Sequence, residues 1–222
     1  MPYYPVYLNL TGRKVLVVGG GSVACRKIDT LLDYGASVSV VAREMADSLK
    51  NNAEGGLVKY LGKEFNENML DGIFLVIAAT DDAGLNHEIS MAAEKRNMLV
   101  NAVDQPADCN FIVPSIVKKG DLTIAVSTSG KSPTLAKKIR KELSSGFGDE
   151  YEAFLKLMGH IRHQVLGEGR SQKENSIIFK KIVYSEILDQ LRGNNLEKAA
   201  ALLSEILGKE ITSGDIDYYL RN

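Results

Sequence analysis

The chain has 222 residues, 45% hydrophobic and 25% charged, and its 27 Lys and Arg against 28 Asp and Glu leave a formal net charge of −1. This is ordinary globular composition, long enough for one large or two modest domains. Near-neutrality excludes a global electrostatic pull toward nucleic acid or an anionic membrane.

No apolar run approaches the roughly 20 residues of a membrane span. The start, Met1-Pro2-Tyr3-Tyr4-Pro5, lacks the basic residues and apolar core of a secretory leader. Cys25 and Cys109 have no metal-ligand spacing and argue for no disulfide framework. A cytoplasmic protein is expected.

Val6-Tyr7-Leu8-Asn9-Leu10 reads as a short lead-in strand, and Thr11-Gly12-Arg13 as the turn into a first main strand over 15–18. That strand runs into Gly19-Gly20-Gly21-Ser22-Val23-Ala24 and then a helical pattern over 26–34. Strand, glycine turn and helix in this order form the first unit of a dinucleotide-binding domain. Gly19 allows the tight turn, Gly21 lets backbone approach a pyrophosphate, and Ala24 keeps helix and strand close. The helix start supplies unpaired N–H groups and a positive dipole for phosphates.

Gly35 is placed to end that helix, followed by strands over 37–41 and, more weakly, 58–61. Residues 73–79 are continuously apolar, as a strand buried on both faces should be. A helix over 84–97 and a strand over 99–103 complete an alternation that predicts an α/β fold with a doubly wound, Rossmann-type parallel sheet.

After Pro114 the pattern changes. Residues 122–127 alternate as a strand, and Pro133 opens a helix capped by Ser132 that ends within 144–148. Beyond it lie only helical patterns, over 149–165, 175–190 and 196–207, broken at Gly167-Glu168-Gly169 and Gly193-Asn194. The expected layout is a nucleotide-binding domain over 1–113, a strand–helix segment over 114–147 and a small helical domain over 148–222.

Ligands of open α/β sheets bind beyond the carboxyl ends of the strands. The residues expected there are the glycine loop, Ala42-Arg43-Glu44, Ala79-Thr80-Asp81-Asp82 and Asn101-Ala102-Val103-Asp104. Asp104 ends an apolar strand where a nicotinamide ring would lie, so its carboxylate can take the proton released in a hydride transfer. A turn aspartate before Gln105-Pro106 is the plain alternative. The acid that commonly follows the glycine loop by about 20 residues is absent, since Val41 and Ala42 hold that point. Glu44 one step on suits the NAD ribose and Arg43 a 2′-phosphate, so the residues themselves leave NAD and NADP open.

Lys118, Lys119, Lys131, Lys137, Lys138, Arg140 and Lys141 crowd one stretch against only Asp121 and Glu142. With Ser127, Thr128 and Ser129 they form either an anion-receiving wall or a solvated helix face. His160 and His163 share a helical face and His87 stands alone, so no metal site is expected.

These motifs together resemble precorrin-2 dehydrogenase, the module that also forms the N-terminal part of siroheme synthases. The resemblance rests on the glycine loop with Arg26-Lys27, on Ala78-Ala79-Thr80-Asp81-Asp82 with Asn86, and on Asn101-Ala102-Val103-Asp104 continuing to Cys109-Asn110-Phe111-Ile112-Val113-Pro114-Ser115. It rests also on Ala125-Val126-Ser127-Thr128-Ser129-Gly130-Lys131-Ser132-Pro133, and covers residues 3–145 more closely than the helical tail. It implies NAD-dependent oxidation of precorrin-2 to sirohydrochlorin in siroheme or cobalamin biosynthesis, with a tetrapyrrole substrate and a homodimer formed through 114–147. It further implies that Asp104 is catalytic, that Ser22-Val23 and Arg43-Glu44 bind NAD, and that Fe²⁺ insertion by the same site is an alternative activity. A third reading, a non-enzymatic module that senses NAD, would need neither Asp104 nor the Ser/Thr loop before a basic helix.

Overall fold

The computed structural model describes residues 3–221; Met1, Pro2 and Asn222, the outer ends of the first and last expected domains, lie outside the described residues. Contacts divide the chain into two compact units that meet between Val113 and Pro114.

The first unit is an α/β sandwich around a five-stranded parallel sheet. Its elements are β1 (Lys14–Val18), α1 (Ser22–Asp33), β2 (Ser37–Val41), α2 (Asp47–Glu54), β3 (Val58–Gly62), β4 (Leu75–Ala78), α3 (Ala83–Glu94) and β5 (Leu99–Ala102). The sheet order is β3-β2-β1-β4-β5, so the chain winds outward from β1 in both directions. Successive side chains on a strand face opposite ways. Val15 and Val17 therefore pack with Ile28 of α1 and Leu49 of α2, while Leu16 and Val18 pack with Ile89, Ala92 and Ala93 of α3. Burial on both faces explains the unbroken apolar runs in β1 and β4.

The expected lead-in strand is not formed. Residues 6–10 join no sheet, and Val6 and Tyr7 are 60% and 71% exposed. Their alternation suits a strand, but β1 already has β2 on one side and β4 on the other. The outer edge of β5 is also taken: Asn110 N–H donates to the Val100 carbonyl at 3.1 Å, and its side chain bonds Val100 N–H and the Met98 carbonyl, both at 2.8 Å. Covering an edge in this way prevents unwanted strand pairing.

The second unit begins with an antiparallel hairpin, β6 (Ser115–Lys119) and β7 (Leu122–Val126), whose two-residue loop puts Gly120 at φ +56. Glycine at the first loop position with positive φ suits the type II′ turn that matches strand twist. There follow α4 (Pro133–Gly146), α5 (Glu150–Gly167), α6 (Gln172–Val183), α7 (Ile187–Arg192), α8 (Leu196–Leu207) and α9 (Ser213–Arg221). The helix expected over 175–190 is two helices. Ser185 divides them: its hydroxyl donates to the Ile182 carbonyl at 2.8 Å and accepts from Ile187 N–H at 3.3 Å. A serine that bonds its own backbone competes with helix continuation. None of α2, β6 and α9 is among the expected elements.

The helices of the second unit close on Leu157, Ile161, Ile182, Ile187, Leu203 and Ile216, each without solvent exposure. Truncating such a residue costs transfer energy plus a cavity term. Leu157→Ala should destabilise the protein by about 2–5 kcal/mol, measured as a lower midpoint in urea unfolding; an unchanged midpoint would mean that the bundle is loosely packed.

Candidate nucleotide-binding and catalytic site

In a doubly wound sheet the ligand crevice opens where strand order reverses, here between the carboxyl ends of β1 and β4. The glycine loop fills that point, and two of its glycines have no room for a side chain. Gly19 adopts φ +125, donates its N–H to the Val41 carbonyl at 2.8 Å, and would place an added Cβ 2.2 Å from the Ala79 carbonyl oxygen. Gly20 is as tight: its carbonyl accepts from Ala46 N–H at 2.9 Å, and a Cβ would lie 2.0 Å from the Glu44 carbonyl oxygen. Gly21 is the opposite case, exposed and with nothing within 4 Å of an added Cβ. The loop is thus locked by its first two glycines and open at its third.

Helix α1 starts at this open position. Gly21 is its N-cap, no side chain caps the first turn, and that turn holds no acid. The backbone N–H groups of Ser22, Val23 and Ala24 therefore precede the first intrahelical bond, Cys25 N–H to the Gly21 carbonyl at 3.0 Å. Unpaired donors at the positive end of a helix suit an anion. Ala24 itself has no solvent exposure, which is the close helix–strand approach its size was expected to serve. A dinucleotide pyrophosphate fits this cradle: the donors face open space that any side chain at position 21 would fill.

The walls follow from the neighbouring strand ends. Arg43 and Glu44 are exposed just past β2, and the Glu44 backbone is the surface on which Gly20 rests. Past β4, Thr80 is held by Asn86, a 3%-exposed residue of α3. The Asn86 Oδ1 accepts from Thr80 N–H at 3.2 Å and from its hydroxyl at 2.8 Å, and Nδ2 donates to the Thr80 carbonyl at 3.1 Å. Asp82 caps α3 by accepting from Leu85 N–H at 3.0 Å, while Asp81 is left exposed. The Thr80 hydroxyl is committed to Asn86, so Ala79-Thr80-Asp81 present mainly backbone and the Asp81 carboxylate.

Asp104 lies two residues beyond β5, exposed, at φ +59, in a turn closed by Gln105 N–H to the Ala102 carbonyl at 3.3 Å. Glycine or asparagine usually fills such a left-handed turn position, and aspartate tolerates it. The chain then doubles back along β5. The Cys109 thiol donates to the Ala102 carbonyl at 3.2 Å and accepts from Ala102 N–H at 3.2 Å, and its burial pushes the thiol pKa up. Cys109 is a structural knot. His87 does not stand alone: its Nδ1 meets Asp108 Oδ1 at 2.7 Å.

In the second unit, Thr128, Ser129, Gly130 and Lys131 form a turn with Ser129 at φ +53 and Gly130 at φ +78, closed by Lys131 N–H to the Thr128 carbonyl at 3.0 Å. Consecutive positive φ values mark a type I′ turn. The Ser127 hydroxyl accepts from Ser129 N–H at 3.0 Å, and that of Thr128 from Ser132 N–H at 3.1 Å. Their oxygens build the loop, and their O–H groups stay available to donate. Of the basic stretch, Lys131 and Lys137 are exposed, whereas Lys119 is bound to Asp149 at 2.7 Å, which raises its pKa. His160 stacks on Tyr219 at 5.0 Å within the helical bundle. Among the described residues no group of three or more His, Cys, Asp or Glu could hold a metal ion.

Sequence reasoning quoted Gly20 and Asn86 within their motifs but gave neither a role, and it missed the His87–Asp108 pair. Asn86 had a local signal, four residues past the capping Asp82; the partners of Gly20 and His87 lie 24 and 21 residues away in sequence.

The fold and this loop define a dinucleotide-binding domain. Residues 6–115 match the family model for NAD(P)-binding domains, and residues 119–145 match that for the central part of sirohaem biosynthesis proteins. Over the whole fold the chain is similar to the solved structure of SirC, precorrin-2 dehydrogenase, at a TM-score of 0.77 and 30% identity, covering 93% of this chain and 100% of that one. It belongs to the precorrin-2 dehydrogenase family. Siroheme synthases of Photorhabdus laumondii and Sodalis glossinidius are 36% and 38% identical to it over 216 and 207 residues. The chain spans under half their length, 46% and 44% respectively.

The glycines make opposite predictions. Gly20→Ala forces backbone apart and should lower stability by about 1–3 kcal/mol, read by thermal unfolding. Gly21→Ala should leave the unfolding midpoint unchanged yet weaken NAD binding about tenfold or more by filling the phosphate approach, read by calorimetric titration; unchanged affinity would remove Gly21 from the cofactor site.

Proposed function

We propose that the protein oxidises precorrin-2 to sirohydrochlorin with NAD⁺ as hydride acceptor, in siroheme biosynthesis. The observation that carries this reading is the match to a precorrin-2 dehydrogenase over all of that chain, combined with the exposed Asp104 carboxylate just past β5, which has no partner among the described residues.

Bound NAD⁺ supplies the hydride acceptor. The chain's own residues do the rest. Ser22, Val23 and Ala24 hold the pyrophosphate through backbone N–H groups, and Glu44 accepts hydrogen bonds from a ribose. Loss of two hydrogens from the macrocycle releases one hydride and one proton; Asp104 accepts the proton and returns it to water. Its carboxylate has no competing partner among the described residues. Such general-base help is worth roughly 10²–10⁴-fold, and holding the reactants together supplies more.

Precorrin-2 carries many carboxylates, and within the second unit Lys131, Lys137 and the O–H groups of Ser127, Thr128 and Ser129 are donors of the kind that bind carboxylates. Residues 114–147 serve as the dimerisation segment: β6 and β7 form a two-stranded sheet with no third strand at either edge among the described residues. A cytoplasmic location fits Cys25 and Cys109, both free thiols in the structure.

Anaerobic incubation with precorrin-2 and NAD⁺ tests the proposal. NADH and the absorption of sirohydrochlorin should rise together, in equal amounts. Asp104→Asn should lower kcat by about 10²–10⁴-fold with NAD affinity unchanged. Absence of NADH formation by the wild-type protein would refute the assignment, and wild-type turnover by Asp104→Asn would remove Asp104 from the proton transfer.

A further inference from the structure

Asp104 does not hold itself in place. Its carboxylate has no partner among the described residues, its backbone is in the left-handed region, and the bond closing its turn is a long 3.3 Å. What fixes the turn must act on the residues after it.

Two sets of contacts do so. One is the Cys109 knot, whose thiol returns to Ala102 and has the Gln105 carbonyl at 3.3 Å as an alternative acceptor for its one proton. The other comes from α3, outside the segment. Gln105 Nε2 donates to the Ala83 carbonyl at 3.0 Å, the Ser90 hydroxyl to the Asp108 carbonyl at 2.8 Å, and His87 Nδ1 meets the Asp108 carboxylate at 2.7 Å. Only the last joins two side chains, and its two members differ in setting: the Asp108 side chain is 15% exposed and that of His87 59%. A sheltered carboxylate needs its partner, whereas the imidazole lies at the surface with its other nitrogen unused in the described structure.

We propose that His87, acting through Asp108, is a positioning residue for the Asp104 turn: it clasps residues 104–109 to α3 and so sets the carboxylate where the proton leaves. The inference rests on the function proposed above. Displacing a reacting group by about 1 Å costs around 10²-fold in rate, so a clasp on this turn governs kcat rather than cofactor binding, which lies across the sheet edge at β1.

The pair can be cut and rebuilt without disturbing a core, because His87 is exposed. His87→Leu removes the donor. His87→Asn restores an N–H on the atom that follows Cγ, where Nδ1 stood, but supplies no imidazole. His87→Leu should lower kcat about 10–100-fold with KM for NAD unchanged, and should speed amide hydrogen exchange across 104–109. His87→Asn should return both readouts close to wild type. Wild-type kcat in His87→Leu would overturn the proposal; so would a His87→Asn variant as slow as His87→Leu, which would place the imidazole itself in the chemistry. If the wild-type protein does not oxidise precorrin-2, the functional reading fails on its own, and amide exchange decides the clasp: equal rates at 104–109 in wild type and His87→Leu would end it.

Discussion

The first unit depends on a backbone-to-backbone approach that leaves no space for a methyl group. The glycine loop passes between the ends of β2 and β4, bonded to Val41 on one side and pressed against Ala79 on the other, while Gly20 rests on Glu44. Three strand ends are brought together by two residues that lack side chains. The consequences run outward from there. With the loop locked, α1 must begin at Gly21, its uncapped donors must face the crevice, and the carbonyl ends of β1 and β4 must diverge around it. Cofactor binding is a by-product of how the sheet is closed at its centre.

The far edge of the sheet solves a different problem. β5 has a neighbour on one side only, and a bare parallel edge invites association. The chain answers by turning at Asp104 and laying Cys109-Asn110-Phe111 back along the strand. Asn101 Nδ2 to the Phe111 carbonyl at 3.1 Å and the two side-chain bonds of Asn110 replace a sixth strand. The motif that carries much of the resemblance, from Asn101 to Phe111, is therefore an edge cover with an acid at its crest. Its cysteine serves geometry: one thiol both donates to the Ala102 carbonyl and accepts from Ala102 N–H.

What the sequence disclosed follows the range of the interactions involved. β1 and β4 are legible because both faces are buried, and that condition writes itself into every residue of the run. The start of α6 was also legible, since Ser171 and Glu174 form a capping box, and the same local logic links Thr212 to Asp215 before α9. Both signals precede the first strongly apolar residue of their helices, so a periodicity-led reading starts α6 late and passes over α9. Helix α2 buries only Leu49, and β6 only Val117. Elements that bury one residue leave no stripe. The lead-in strand over 6–10 fails for the converse reason: its alternation is real, but pairing requires a free edge, and edges are a property of the whole sheet.

The site divides along the same line. Gly19, Gly21, Ala24 and Asp104 could be placed from order alone, because a strand followed by a turn has a known end and ligands collect at that end. The conformation of Asp104 could not. Aspartate adopts the left-handed region less readily than glycine, and the bond that closes its turn, Gln105 N–H to the Ala102 carbonyl, is long at 3.3 Å. Such a residue persists only where the surroundings over-determine it, and here they do so twice, through the Cys109 thiol on the sheet side and through His87, Ser90 and Ala83 on the helix side. The helix-side contacts span 18 to 22 residues, a separation that periodicity cannot reach. In the proton transfer proposed for Asp104, a carboxylate with no partner among the described residues keeps its basicity, because hydrogen bonds to it would favour its charged form and weaken it as a base.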